Sequence, residues 1–481
     1  MNRKMVFYIC GQMLLIEAAL LVLPLIVSLI YGESCALAIL AAIGIAIVLG
    51  AAIMLISRPD DTVIYSREGF VITALTWFEF SAVGALPFVF AGEIPSYIDA
   101  FFETVSGFTT TGASILRDVE VMSKGLLFWR SFTHWVGGMG ILVLVMAVLP
   151  MTTDRSIHIM RAEMPGPIVG KLVPRVRQTA KILYVIYIAL TLIEIILLLC
   201  GGMNLFEASV HAFGTAGTGG FGVKADSITS YNPFIQWVMT VFMMIFAVNF
   251  NLYYLILIKR FKAAFSSDEL WVYLGVVAVS VLLVSVNIAP LYSSVEETVR
   301  KAAFQVLSII STSGFATADF NLWPQFSKGI LFALMLLGGC AGSTGGGLKV
   351  SRAIMLFKSG RRELKKMLHP RSVSSVRLEG RTVDDSTISS VGVYFAFYVA
   401  IQLLAFILIS FEPFDFETRI TSVVACFNNV GPGLGAVGPA GSYADYSAFS
   451  KLVLSVSMLF GRLEIYPVIF LLSPSVWFKK R

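Results

Sequence analysis

Charge is what this sequence has least of. Only 14% of its 481 residues are Asp, Glu, Lys or Arg, against about 25% in an ordinary soluble chain. Lipid-facing surface cannot carry charge at modest cost, so the deficit argues against a soluble globular protein and for a polytopic membrane protein. The remainder agrees: 57% of residues are hydrophobic and the mean hydropathy is +0.81. Cysteine is also scarce. Cys10, Cys35, Cys200, Cys340 and Cys426 are scattered through apolar segments without disulfide or metal-ligand spacing, and read as small buried hydrophobes. Of the four histidines, His158 and His369 have no metal-ligand company and His211 falls in a short half-apolar segment. There is no HExxH, no GxSxG and no credible carboxylate pair, which speaks against an embedded enzyme. Gly214–Gly222 is glycine-rich, but no strand precedes it and no Walker lysine follows, so it does not read as a nucleotide loop.

What charge there is has a pattern. Basic residues concentrate at the N-terminus, in Arg155–Lys181, Lys259–Lys262 and Lys349–Arg381, and in the tail Lys479, Lys480, Arg481. The positive-inside rule makes these cytoplasmic. The stretches 92–123, 201–233, 291–325 and 412–445 are poor in Lys and Arg and carry several carboxylates, so they face the other side. Both termini are then inside. The first apolar run, Met5–Tyr31, is too long for a signal-peptide core, contains Glu17 and is followed at once by a second run, so it reads as an uncleaved span.

About ten apolar runs approach the roughly 20 residues needed to cross a bilayer. After an opening helix pair (1–62), one pattern recurs four times: a long apolar helix, a shorter half-apolar segment ending in a glycine turn, then another long apolar helix. The units are 63–155, 175–265, 266–365 and 383–481. The four turns are Thr110-Thr111-Gly112, Thr218-Gly219-Gly220, Thr312-Ser313-Gly314 and Asn429-Val430-Gly431. Six residues before each glycine stands a small residue (Ser106, Gly214, Ser308, Ala425), and seven before stands an apolar one (Val105, Phe213, Leu307, Val424). Each short segment lies between antiparallel spans, so its ends return to one membrane face, as in a re-entrant helix with an extended loop. Non-helical backbone is tolerated at that depth only where it is buried or lines a water-filled cavity. The fold expected is all-α and integral to the membrane, with four pseudo-symmetric helix–pore-helix–helix repeats around a central pore.

Such loops suit a dehydrated monovalent cation, which must recover oxygen ligands from rings of backbone carbonyls. Glycine permits the angles that aim those carbonyls inward, and Thr or Ser hydroxyls add oxygen. Helix C-termini pointing at the axis add negative partial charge. An anion pore would call for Arg or Lys in the ring, and these four turns have none.

The motifs Ser106–Ser114 (SGFTTTGAS), Trp135–Gly140 (WVGGMG), Gly342–Lys349 (GSTGGGLK) and Asn428–Gly435 (NNVGPGLG) carry a resemblance. On them, and over nearly its whole length, the chain resembles the Trk/Ktr/HKT superfamily of cation transporters, in particular TrkH/TrkG-type potassium uptake subunits of the bacterial inner membrane. The extra N-terminal helix pair fits that type. The resemblance implies that the four glycines are filter glycines, that K+ is the transported ligand, and that glycine in all four loops is the potassium-permitting pattern. Gly222 departs from it, since a small hydroxyl residue is more usual there. The resemblance further implies a homodimer with one pore per protomer, and a TrkA-type cytosolic ring binding ATP, ADP or NAD at the basic segment Lys349–Arg381. That segment, read by itself, is equally an ordinary positive-inside loop. The chain has no cofactor site of its own and no feature that calls for nucleic acid; membrane lipid is its other partner.

Gly338, Gly339, Gly342, Gly345, Gly346 and Gly347, with Ser343 and Thr344 among them, interrupt the third repeat's last helix. Each internal glycine costs a helix about 1 kcal/mol relative to alanine. The run is either a passive kink or an intramembrane loop below the filter, and the resemblance implies the gating loop. Lys349 either faces the cavity or sits at the cytoplasmic interface. Arg462 either pairs with Glu464, snorkels to the interface, or points into the pore; the resemblance implies the last, as part of the gate. Arg130 and His134 read as a structural polar cluster near the outer surface. The rival to a gated pore is a proton- or sodium-coupled transporter, for which Glu17, Glu79 and Glu194 are the candidate midplane carboxylates. Because the four loops differ around their shared glycines, weaker selectivity among alkali cations is expected than in a fourfold-identical filter.

Overall fold

The computed structural model describes residues 1–61, 64–140, 176–372 and 374–478. Most of Arg155–Lys181, His158, residues 141–155 of the first repeat and the basic tail lie outside the described residues. Among the described residues the fold is helical apart from one small hairpin, Arg377–Leu378 paired with Arg381–Thr382. Six helices are long and apolar enough to cross a membrane: Arg3–Tyr31, Cys35–Ile56, Ser66–Phe90, Gln178–Cys200, Asp268–Leu291 and Asp385–Leu408. The first two are the N-terminal pair, which crosses where Gly11 and Gly50 meet. A Cβ on either would lie 2.8 Å from the other's carbonyl oxygen, the close backbone approach that small residues permit between membrane helices. The other four are the outer helices of the repeats.

Four short helices follow them: Tyr97–Phe108, Leu205–Gly217, Val295–Ile310 and Phe416–Phe427. Their starts are written locally. Ser96, Asn204, Ser294 and Asp415 each accept a hydrogen bond from the backbone N–H three residues on, satisfying one of the orphan donors of a helix N-terminus. Three caps precede the filter glycine by sixteen residues and the third by twenty. The third short helix thus has about one extra turn at its start, and all four end in the same register.

The last helix of each repeat departs from the sequence expectation. None is a single long span among the described residues. They run Lys124–Gly138, Pro233–Phe246, Gln325–Leu337 and Ala448–Arg462, which is 15, 14, 13 and 15 residues. At about 1.5 Å per residue this covers roughly 20 Å of a hydrocarbon core about 30 Å thick. The second bends by 91° before continuing as Phe250–Leu257. The third gives way to the glycine run, and the fourth breaks at Glu464 and Ile465, both with positive φ (57° and 69°). Among the described residues the ten apolar runs therefore yield six continuous spans, or seven with the bent pair, because the inner helices end or bend after 13–15 residues.

Candidate filter and gate

Each short helix ends in the same hydrogen-bonded turn. The N–H of Thr111, Gly219, Ser313 and Val430 bonds the carbonyl five residues back, on Ser106, Gly214, Ser308 and Ala425, always at 2.8 Å. The N–H of the preceding residue (Thr110, Thr218, Thr312, Asn429) bonds the carbonyl three back at 3.0–3.2 Å. This pair of bonds is the Schellman motif, and it requires a left-handed residue just past the helix. Thr110, Thr218, Thr312 and Asn429 fill that place, with φ of 56°, 57°, 62° and 55°. The small residue six before each glycine is thus the carbonyl that closes the turn.

Two residues later the backbone is left-handed again, at Gly112, Gly220, Gly314 and Gly431, with φ of 79°, 81°, 78° and 93°. Left-handed residues at alternate positions reverse the usual alternation of peptide planes, so successive carbonyls face one side. Non-glycine residues reach this region only when the surroundings hold them there.

The four turns close into a ring. A Cβ added at Gly112 would overlap the carbonyl oxygen of Gly219, and one at Gly220 that of Ser313. At Gly314 it would meet Val430 O at 2.5 Å, and at Gly431 Thr111 O at 2.5 Å. Each filter glycine thus faces the carbonyl preceding the next repeat's glycine, in the order one, two, three, four and back to one. Four loops of one chain surround one axis. Outside them opens a vestibule of about 130 Å³, which the four glycines help to line.

Side chains brace the ring. Asn429 Nδ2 donates to Thr111 Oγ1 (2.9 Å) and to Met458 O (3.0 Å), tying loop four to loop one and to its own inner helix. Tyr443 spans the same two loops, its hydroxyl donating to Gly431 O (2.9 Å) and its N–H to Ser114 O (2.8 Å). Arg130 and His134 prove to have separate roles. Arg130 lines the vestibule and pairs with Glu103 on the first short helix at 2.5 Å, both nearly inaccessible. Glu103 also accepts from Ser114 Oγ and Ile115 N, at 2.9 Å each. His134 is not at the outer surface. It is wedged behind loop two, with a ring nitrogen 2.7 Å from Gly107 O and its ring filling the space a Cβ on Gly219 would need. Glu103 and Tyr443 carry no motif, so the sequence alone did not single them out.

The Glu103–Arg130 pair allows a stability test. Breaking a buried ion pair from one side costs about 3–5 kcal/mol, because the other charge is stranded. Arg130→Met should therefore lower the midpoint of thermal unfolding in detergent sharply, and Glu103→Met/Arg130→Met should recover much of the loss. A double variant destabilised by the sum of the two single losses would show that the pair is not coupled.

Against one side of the ring, the segment from Gly338 to Lys349 is a loop and not a kink. It packs directly against loops three and four: Gly346 N donates to Thr312 Oγ1 (2.7 Å), a Cβ at Gly345 would lie 2.7 Å from Ser311 O, and one at Gly346 would overlap Asn428 O. Gly338, Gly342 and Gly347 hold positive φ of 75°, 72° and 78°. Gly339 and its neighbours face the bend of the second repeat, where Cys340 N donates to Ala247 O (2.9 Å), Phe250 N to Gly342 O (3.1 Å) and Thr344 Oγ1 to Phe246 O (3.2 Å). Ser343 turns its hydroxyl to Cys340 O (2.6 Å). Lys349 is buried and its ammonium turns back onto Gly345 O.

Arg462 bridges three repeats at this level. Its guanidinium donates to Thr344 O (2.6 Å) in the loop and to Gly137 O and Gly138 O at the end of the first inner helix. Glu464 is paired elsewhere, with Arg352. The breaks in the four inner helices are therefore one layer, in which carbonyls released from helical bonding converge on the loop and on Arg462.

Known proteins share this architecture. The TrkH family profile, described as a cation transport protein, matches residues 36–270 and 269–479. The Trk system potassium uptake protein TrkH of Escherichia coli K12 is 36% identical over 484 residues, covering 99% of this chain and all of that protein. The TrkH of Halomonas elongata is 34% identical over the full length of both. The crystal structure of the potassium transporter TrkH from Vibrio parahaemolyticus superposes with a TM-score of 0.89 at 32% identity, covering 99% of this chain and 100% of that one. A ring of four glycine turns in an all-α, multi-pass membrane fold, matched along its whole length, makes this chain a member of the TrkH family of cation transport proteins.

Proposed function

We propose that this chain takes up potassium through a gated pore, with Thr110–Gly112, Thr218–Gly220, Thr312–Gly314 and Asn429–Gly431 as its filter. The observation that carries the reading is the cyclic approach of the four glycines to one another's carbonyls. Carbonyl rings without fixed charge suit a monovalent cation, and the full-length relatives bear the name of potassium uptake proteins. The loop Gly338–Lys349 and Arg462 form the gate; supporting this, the loop packs against loops three and four, Arg462 binds it, and a guanidinium there would repel an entering cation. The units 63–155, 175–265, 266–365 and 383–481 are the pore repeats. The protein resides in the bacterial inner membrane with both termini in the cytoplasm. Its basic cytoplasmic face receives a TrkA-type nucleotide-binding ring, and two copies associate, each with its own pore.

One observation favours the coupled-transporter alternative: Glu17 and Glu194 are fully buried, and their carboxylate oxygens have no hydrogen-bond partner among the described residues. Both lie on helices outside the four loops. The two readings separate in proteoliposomes under an imposed pH gradient. A pore gives a reversal potential that follows the potassium gradient alone, whereas a reversal that shifts with pH as coupling requires would overturn the pore. Uptake of potassium, rubidium and sodium in the same vesicles measures selectivity.

A further inference from the structure

One carboxylate binds the chain both within the loop Gly338–Lys349 and just after it. Glu269, in the first turn of the third outer helix, is 6% exposed. Its Oε1 accepts from Ala341 N at 2.8 Å, within the glycine run, and from Ser351 N at 2.9 Å, in the first turn of the helix that follows it, two donors ten residues apart. The loop stem has bonds of its own, Leu348 N to Leu336 O and Lys349 N to Leu337 O. Glu269 adds the contacts that join the loop to the third outer helix, beside those that tie it to the bend of the second repeat and to Arg462.

The same helix start is gripped from the cytoplasm. The hairpin Arg377–Thr382 turns through Glu379 and Gly380, both with positive φ (53° and 72°), which presents Glu379 at its tip. Glu379 Oε1 accepts from Ser267 Oγ (2.9 Å) and from Glu269 N (3.2 Å), as anions do at helix N-termini. Lys358, on the helix Val350–Leu368 that continues from the loop, donates to Arg377 O (2.8 Å) and pairs with Asp268 (3.3 Å). Hairpin, helix start and loop are therefore tied together, through Glu379 and Glu269 on one side and through Lys358 on the other.

We propose that Glu269 is a positioning residue that keeps the loop seated under the filter, and that Glu379 is the cytoplasmic handle through which that seating is released. This deepens the gate reading above and rests on it. Displacing the hairpin withdraws the cap from the third outer helix, shifts Glu269, and frees Ala341 and Ser351 together. A purely structural role predicts a loss of folded protein and no change in the gating of what remains.

The test is single-channel recording of the full chain in planar bilayers, with no partner added, comparing wild type, Glu269→Ala, Glu269→Gln, Glu379→Ala and Arg462→Ala. Glu269→Ala should raise open probability about tenfold, the scale set by one hydrogen bond to a charged group, with unitary conductance and potassium-over-sodium preference unchanged. Glu269→Gln keeps an accepting oxygen and should stay within about twofold of wild type. Glu379→Ala alters an exposed side chain, folds, and should shift open probability in the same direction by less. Adding Glu379→Ala to Glu269→Ala should bring no further opening, since the handle acts through Glu269. If Arg462→Ala opens the pore and neither glutamate variant does, the Glu269 inference is wrong and the gate stands. If all three leave open probability unchanged, the gate reading itself falls. Should Glu269→Ala fail to fold, an unchanged open probability in Glu379→Ala is enough to overturn the proposal.

Discussion

Gly112→Ala is expected to abolish selective potassium flux. Two costs coincide at this position. A left-handed φ of 79° is strained for any L-residue with a Cβ, by about 1–2 kcal/mol. The added methyl would also overlap the carbonyl oxygen of Gly219, which belongs to the next loop of the ring. Relief requires that carbonyl to swing away, and with it one ligand of the dehydrated cation. Gly220→Ala should behave alike, because its methyl meets Ser313 O. Gly314→Ser has slightly more room, with Val430 O at 2.5 Å and Pro432 Cδ at 2.9 Å. It should reduce potassium-over-sodium preference on the order of tenfold, the equivalent of about 1.4 kcal/mol, without eliminating flux. Gly92 supplies the control. Its φ is 75° but a Cβ there meets nothing within 4 Å, so Gly92→Ala carries the strain without the overlap and should leave selectivity intact. Uptake of potassium, rubidium and sodium into proteoliposomes reads the series. Unchanged ion preference in both Gly112→Ala and Gly314→Ser would remove these loops from the filter.

The second large effect is expected at Arg462. A guanidinium about 5 Å from a cation in a medium of effective dielectric near 20 opposes it by roughly 3 kcal/mol. Arg462→Ala removes that barrier and also unties Thr344 from Gly137 and Gly138. Open probability, unitary current or both should rise by at least about tenfold, the factor that 1.4 kcal/mol represents. Arg462→Lys keeps the charge but cannot fork across several carbonyls at once, so it should fall between wild type and Ala. If Arg462→Ala leaves both open probability and unitary current as in wild type, Arg462 is no part of the barrier.

The four turns were legible in the sequence for a physical reason that the structure supplies. A Schellman turn needs a closing carbonyl at one fixed offset and left-handed residues at two others. Few residue types meet those demands, so four copies kept a common register while their flanks diverged. The N-caps Ser96, Asn204, Ser294 and Asp415 share this local character, and so does the charge asymmetry of the connecting segments. The inner helices show the opposite case. Pro233–Phe246 reads as an uninterrupted apolar run, yet it breaks where the carbonyls of Phe246 and Ala247 are claimed by Thr344 and Cys340 of the loop.

The scarcity of charge with which the sequence begins thus determined the membrane fold, and the spacing of its glycines determined four equivalent turns, because both are enforced by solvent and by the backbone within a few residues. Which charges matter was left to the tertiary structure. Glu103 and Arg130, Arg352 and Glu464, and Glu269 with its two backbone donors are far apart in the chain, and a carboxylate or guanidinium accepts partners by proximity and not by sequence offset. Only the tertiary packing set Arg462 against the glycine run and brought Glu269, at the start of the third outer helix, to Ala341 and Ser351.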